Sequence, residues 1–261
     1  MWRTFASRGL AAVVTLLLAA LSVQAAYRWA DEEDGNKVMA GLKKFQFLIG
    51  NWRASSQIAD GQSTGTVENL TWQWHFAIDE PPALKVKVED GDYLAGALLR
   101  YDPEEDEYLL VADRVVEGEK VNGKPKTETV VYEGKSEPSE VDPKVNVLSM
   151  TRKIPGSSAQ ERITLKTREK HHYIFQLDSR RTSKLQFRPV KIFSTTREGE
   201  TIAKLEEAVQ GPICFISGGL GTSTYSYKGK TYYFCCSGCL ETFKDDPEKW
   251  IADAAKKEQK K

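Results

Sequence analysis

Histidine is scarce in this chain, with His75, His171 and His172 the only three in 261 residues. Cysteine is missing from the first 213 residues, and all four stand between Cys214 and Cys239. No Gly-x-Ser-x-Gly elbow, phosphate-binding loop or His-Glu-x-x-His helix occurs, so the sequence signatures of the common hydrolases, nucleotide-binding enzymes and metalloproteases are missing. An excess of charge of either sign is lacking too. Lys+Arg and Asp+Glu stand at 37 each, and a balanced charge gives no footprint for general nucleic-acid binding. Carboxylates fall in turn-like runs such as Glu104-Glu105-Asp106-Glu107, where a solvated surface is the default. The chain is therefore read as a binding protein rather than an enzyme.

Long apolar runs are also missing, apart from Gly9 to Leu21. Arg3 and Arg8 precede that run, and Val23-Gln24-Ala25 offers small residues behind it. This is the layout of a secretory signal peptide over 1–25, cleaved after Ala25. The run is short for a bilayer core of roughly 30 Å, so no stable membrane span is expected after cleavage. An uncleaved anchor is the alternative reading. Lipid attachment at the cleavage site is excluded because no cysteine stands there. A secreted or periplasmic location follows.

The middle of the chain alternates. Leu70, Trp72, Trp74 and Phe76 are interleaved with Thr71, Gln73 and His75, and Leu84, Val86 and Val88 with Lys85, Lys87 and Glu89. Period two marks half-buried strands. Further strands are expected at 93–101, 108–116, 127–132, 145–152, 161–166, 172–178 and 190–198. Turn pairs recur between them: Asp60-Gly61, Asp90-Gly91, Asn122-Gly123, Pro155-Gly156 and Glu198-Gly199. Short strands at such spacing predict a sandwich or an up-and-down barrel. Ahead of them, Val38, Leu42 and Phe45 are spaced for one face of a helix over 31–44. Three histidines do not make a site. His75 lies on the polar face of its strand. His171 shares its phase with Tyr173, Phe175 and Leu177; it is read first as a hydrogen-bonded rim or interior residue and second as a haem or metal ligand. The division expected is a leader over 1–25, a polar helical lead-in over 26–42, the β domain over 43–199, a linker over 200–211 and a small C-terminal module over 212–261.

That module concentrates the chemistry. Cys214 precedes a Gly- and Ser-rich turn, two short strands join at Lys228-Gly229-Lys230, and Cys235, Cys236 and Cys239 fall where the second strand gives way to a helix near Ser237. Thiols from a loop and from a strand-to-helix junction can converge on one ion. Thiolates are the donors that soft and borderline cations prefer. About 40 residues bury too little core to stand without a metal or a disulfide. Two disulfides are the competing reading. Asp246 and Pro247 form an N-cap and first helical position for a last helix from Pro247 to about Lys256, and Phe243 and Trp250 are expected to cover the knuckle.

Two resemblances extend this. Residues 212–251 closely resemble the YHS/TRASH family of treble-clef-like metal-binding modules: Cys214, twenty residues, Cys235, three residues, Cys239, with YKGKTYYFC between and DPEKW behind. The resemblance implies a zinc- or copper-binding module with Cys214, Cys235 and Cys239 as ligands. Some relatives carry a second cysteine three residues after the first, and here Ser217 stands there. A fourth ligand is left to Cys236, water, an Asp or a partner's group, and Cys236 can join only if the strand has ended by then, because neighbours on a strand point to opposite faces. Earlier in the chain, FQFLIGNWRASSQ, WQWHF and LLRYDPEEDEYLLV resemble a lipocalin-like (calycin-type) antiparallel β-barrel over about 43–197, with Gly50-Asn51-Trp52 on the first strand closing one end. That resemblance implies a cavity able to take a small apolar or amphipathic ligand. The fold expected is therefore mainly β, a barrel followed by a ββα module. The function expected is exported metal binding, buffering or sensing. The alternative is a barrel that binds a lipid or cofactor, with the knuckle as its staple.

Overall fold

A computed structural model describes residues 32–58, 63–77, 80–140, 142, 145–169, 171–199 and 211–259. The expected leader, the Asp60-Gly61 turn and all of the expected linker but Gly211 lie outside the described residues.

Ten antiparallel strands form a closed up-and-down barrel. They are β1 Gly50–Ile58, β2 Ser63–Ala77, β3 Glu80–Glu89, β4 Leu94–Asp102, β5 Glu107–Val121, β6 Lys124–Pro138, β7 Asn146–Lys153, β8 Gln160–Glu169, β9 His172–Arg180 and β10 Arg188–Arg197. Each pairs with its neighbours in sequence, and β1 pairs with both β2 and β10, which closes the barrel. Lipocalin barrels close with about eight strands, so this barrel shares their up-and-down order with two strands more. The period-two expectation holds in the burial: Trp72 and Trp74, then Leu84, Val86 and Val88, point inward. The β5–β6 hairpin is longer than alternation predicts. Its ends beyond Val115 are largely exposed and carry no apolar alternation to mark them. Asn122 (φ 53°) and Gly123 (φ 78°) turn it, the two positive angles that a tight two-residue hairpin needs.

One end of the barrel is plugged from the N-terminal side. Helix α1, Glu32–Lys43, and the 3-10 turn Gln46–Leu48 bury Val38, Leu42, Phe45 and Leu48 almost completely. The plug is bonded as well as packed. Trp52 Nε1 donates to the Leu48 carbonyl at 2.6 Å, and the Tyr108 hydroxyl donates to the Gly41 carbonyl at 3.0 Å. From the last strand, Arg197 lies over the Trp52 ring at 4.3 Å and donates to the Ile49 and Phe47 carbonyls. The segment that the sequence marks only as a lead-in is thus an integral part of the barrel's closed end, and Gly50-Asn51-Trp52 stands at that end.

Among the described residues the apolar part of the interior is closely packed. A cavity of about 30 Å³ remains among residues that include Leu70, Trp72, Val86, Leu110 and Tyr173. Further along the strands, away from the plug, polar side chains share the inward phase. Glu161 accepts from Arg114 at 2.9 Å, from Arg152 at 2.6 Å and from Tyr132 at 3.0 Å, and the Tyr132 hydroxyl meets that of Tyr93 at 2.7 Å. A buried carboxylate needs such partners.

After the barrel come β11 Ser223–Tyr227, β12 Lys230–Phe234, α2 Ser237–Asp245 and α3 Pro247–Gln259. Phe243 is the hub of this small module, with the rings of Phe215, Tyr225, Tyr227, Tyr232 and Phe234 within 6.3 Å of it. Asp246 Oδ1 accepts the Lys249 N–H at 3.1 Å, the N-cap that the sequence predicts for α3. Trp250 also reaches the barrel. It packs against Phe76 of β2, ring centres 6.2 Å apart, and its Nε1 donates to the Thr242 carbonyl of α2 at 3.2 Å, so it ties the module's helix to the barrel. No described helix is long and apolar enough to cross a membrane.

Candidate metal centre

Cys214 is positioned by a tight loop. Its N–H donates to the Gly219 carbonyl at 2.6 Å and its carbonyl accepts from Gly218 at 2.9 Å. The next N–H, of Phe215, donates to the Tyr233 carbonyl at 2.8 Å, which ties the loop to β12. β12 ends at Phe234, so Cys235 and Cys236 stand beyond the strand and escape its alternation. Cys236 is extended (φ −159°, ψ 169°) and caps α2, and Cys239 lies in the first turn of that helix.

The sulfur atoms of Cys214, Cys235 and Cys239 all lie within 4.8 Å of one another. Cys214 and Cys239 are buried and Cys235 is half-buried. Among the described residues this is the one group of three or more metal-type ligands that converge. Cys235 Sγ stands 3.7 Å from Cys239 Sγ and 3.9 Å from Cys236 Sγ. None of the four is in a disulfide, and these separations are far from the S–S bond length of about 2.0 Å. Cys236, the candidate fourth ligand, interacts with Cys235 and Cys239 but is not part of the group whose sulfurs all lie within 4.8 Å of one another. Its sulfur also accepts the backbone N–H of Trp74, in the barrel, at 3.4 Å. Ser217 is buried, and its Oγ sits 3.3 Å from Cys235 Sγ.

These contacts shift the thiols in opposite directions. Hydrogen bonds from Cys235 and Cys239, and from Ser217, hold Cys214 well below the usual thiol range. Bonds with Cys235 and Cys239 likewise hold Cys236 down. The contact with Cys214 pushes both Cys235 and Cys239 up. Thiolates crowded together repel one another, and a cation among them removes that cost. The donor set fits one. The 3.7 Å separation of Cys235 and Cys239 is close to the edge of about 3.8 Å expected for four sulfurs at metal–sulfur bonds of about 2.3 Å. Cys214, Cys235 and Cys239 are the residues that would hold the ion, and the ion would supply the positive charge that lets three thiolates share one buried site.

The histidines do not join this group. His172 Nε2 meets Ser194 Oγ at 3.0 Å. His171 stands in the turn before β9, and its carbonyl accepts the Arg197 N–H at 2.9 Å. The half-buried His75 ring has its pKa lowered, first by burial and then by Lys85. Sequence reasoning did not single out Ser217 as a neighbour of the sulfurs beyond its motif position. It also passed over Gln73, Trp74 and Gly238, whose contacts join the module to β2.

Residues 222–253 match the YHS domain family. The matched stretch holds Cys235, Cys236 and Cys239; Cys214 lies ahead of it and is brought in by the fold. No curated protein matches the chain. Among solved structures, the crystal structure of Rv2717c from M. tuberculosis is similar at 13% identity and a TM-score of 0.37, over 60% of this chain and 97% of that one. The YHS match and the three-cysteine cluster together point to metal binding.

Proposed function

We propose that this is an exported protein that holds one zinc or copper ion in its C-terminal module, through Cys214, Cys235 and Cys239, and that it acts by binding, buffering or sensing the ion rather than by turnover. The observation that carries the reading is the convergence of three thiols from two separate segments into one largely buried cluster. Thiolate donors suit zinc and copper(I). The N-terminal leader pattern supports export.

The barrel-ligand reading has less support. A cavity of about 30 Å³ is of the size that holds about one or two waters, not a lipid or a cofactor. The test is elemental analysis of the mature protein purified anaerobically, with free thiols counted alongside. About one zinc or copper per chain is expected in the wild type and loss of the ion in Cys239→Ser. Full retention of metal by Cys239→Ser would sink the three-thiol site.

A further inference from the structure

Strand β2 outruns its neighbour. Its pairing with β1 stops at Trp72 opposite Gly50, while β2 continues to Ala77. A strand edge that loses its partner leaves backbone N–H and carbonyl groups in need of others. Here the module supplies a partner for one backbone group and for one side chain of the edge. The Trp74 N–H donates to Cys236 Sγ at 3.4 Å, and the Ser237 hydroxyl donates to Gln73 Oε1 at 2.7 Å. Gly238 passes so close that a Cβ on it would stand 1.8 Å from the Trp74 carbonyl oxygen, so only glycine permits this approach. Trp250 against Phe76 completes the junction.

We propose that β2 forms the outer wall of the thiol centre, and that Cys236 is a positioning residue that transmits docking on the barrel to the three-sulfur cluster. The proposal rests on the metal-binding reading and adds the barrel to it. Cys236 shares a peptide bond with Cys235, and their sulfurs are 3.9 Å apart. Fixing the Cys236 sulfur on the barrel edge fixes the peptide that aims Cys235 at Cys239. Cys236 itself stays outside the triangle. Groups that bond to or orient metal ligands tune affinity from outside the coordination shell. Linkage makes the effect mutual: docking that strengthens ion binding is itself strengthened by the ion.

The test uses the full chain, with zinc(II) and, under anaerobic conditions, copper(I) as probes. Affinity is read by chelator competition, and docking by hydrogen exchange of the amides of 73–77. Cys236→Ala and Gly238→Ala are expected to bind one ion per chain still, but about tenfold or more weakly, the cost of removing an outer support. Ion loading is expected to slow exchange at Trp74 in the wild type and not in Cys236→Ala. Cys236→Ser keeps an acceptor for the Trp74 N–H and should fall between the two. If Cys236→Ala loses the ion as fully as Cys239→Ser, Cys236 is a ligand and the positioning role is overturned. Wild-type affinity in both alanine variants, with Trp74 exchange blind to the ion, overturns it as well. A wild-type chain that takes up neither ion removes the metal reading itself, and it is recognised by its identity with Cys239→Ser.

Discussion

Glu68 illustrates how one buried side chain sets a pH dependence. It is 3% exposed, borders the barrel cavity and accepts the Asp92 N–H at 3.0 Å. Burial pushes its pKa up to about 7; the Asp92 carboxylate adds to this, while the Asp92 N–H and Lys191 oppose it. The folded chain therefore holds a proton that the unfolded chain releases at lower pH. Between the ordinary glutamate value and about 7 the native state binds more protons, so stability is full at the acid end and falls as pH rises through that window. Glu68→Gln, which keeps an acceptor for Asp92, is expected to flatten the fall. Urea unfolding at about pH 4 and about pH 8, on either side of that window, checks this, and an unchanged pH slope in the variant would show that Glu68 is not its source. The sequence does carry a trace of Glu68: it shares its phase with Leu70, Trp72 and Trp74 on β2, as Glu161 shares the phase of Ile163 and Leu165 on β8. Phase places these carboxylates inside. It says nothing of Asp92, Arg114 or Arg152, which come from other strands and loops and decide what each carboxylate does.

At the scale of elements, the plug depends on Arg197. One guanidinium from β10 lies over Trp52 of β1 and bonds the carbonyls of Phe47 and Ile49, so the first strand, the last strand and the N-terminal plug meet there. Arg197→Ala is expected to destabilise the barrel by about 2–4 kcal/mol, because it removes the charged hydrogen bonds and the cation–π stacking on Trp52 in one step. Chemical denaturation measures the change, and a decrease below about 0.5 kcal/mol, the scale of an ordinary surface substitution, would mean that the plug is held by its apolar face alone. That face was legible: Val38, Leu42 and Phe45 at helical spacing are all buried. Its destination was not, because an amphipathic stripe shows that a helix packs and leaves open against what.

At the scale of the whole molecule, the barrel and the module draw on different sources of order. The barrel is closed on itself around a large apolar core, with buried carboxylates at Glu68 and Glu161. The module has one aromatic hub at Phe243 and three converging thiols. Removing the ion with a chelator is expected to quicken amide exchange across 211–250 while β5 to β8 stay protected, since a ligand stabilises only what it binds, by about 2.7 kcal/mol at a hundredfold excess over Kd. Uniform exchange before and after chelation would show that the module stands on its aromatic core. The edge of β2 should follow the module, because Trp74 is bonded to Cys236.

By itself the sequence determined the period-two strands of the barrel, the hairpin at Lys228-Gly229, the cap at Asp246 and the cysteine spacing, since each depends on residues near one another along the chain. Tertiary structure alone decided the rest. It closed ten strands, set the N-terminal helix in one end of the barrel, gave the expected meeting of Cys214 with Cys235 and Cys239 its geometry, and turned Cys236 toward Trp74. The reason is physical. Local periodicity records which face of an element is apolar, whereas a partner 162 positions away, as Trp74 is from Cys236, is chosen by the packing of the whole chain.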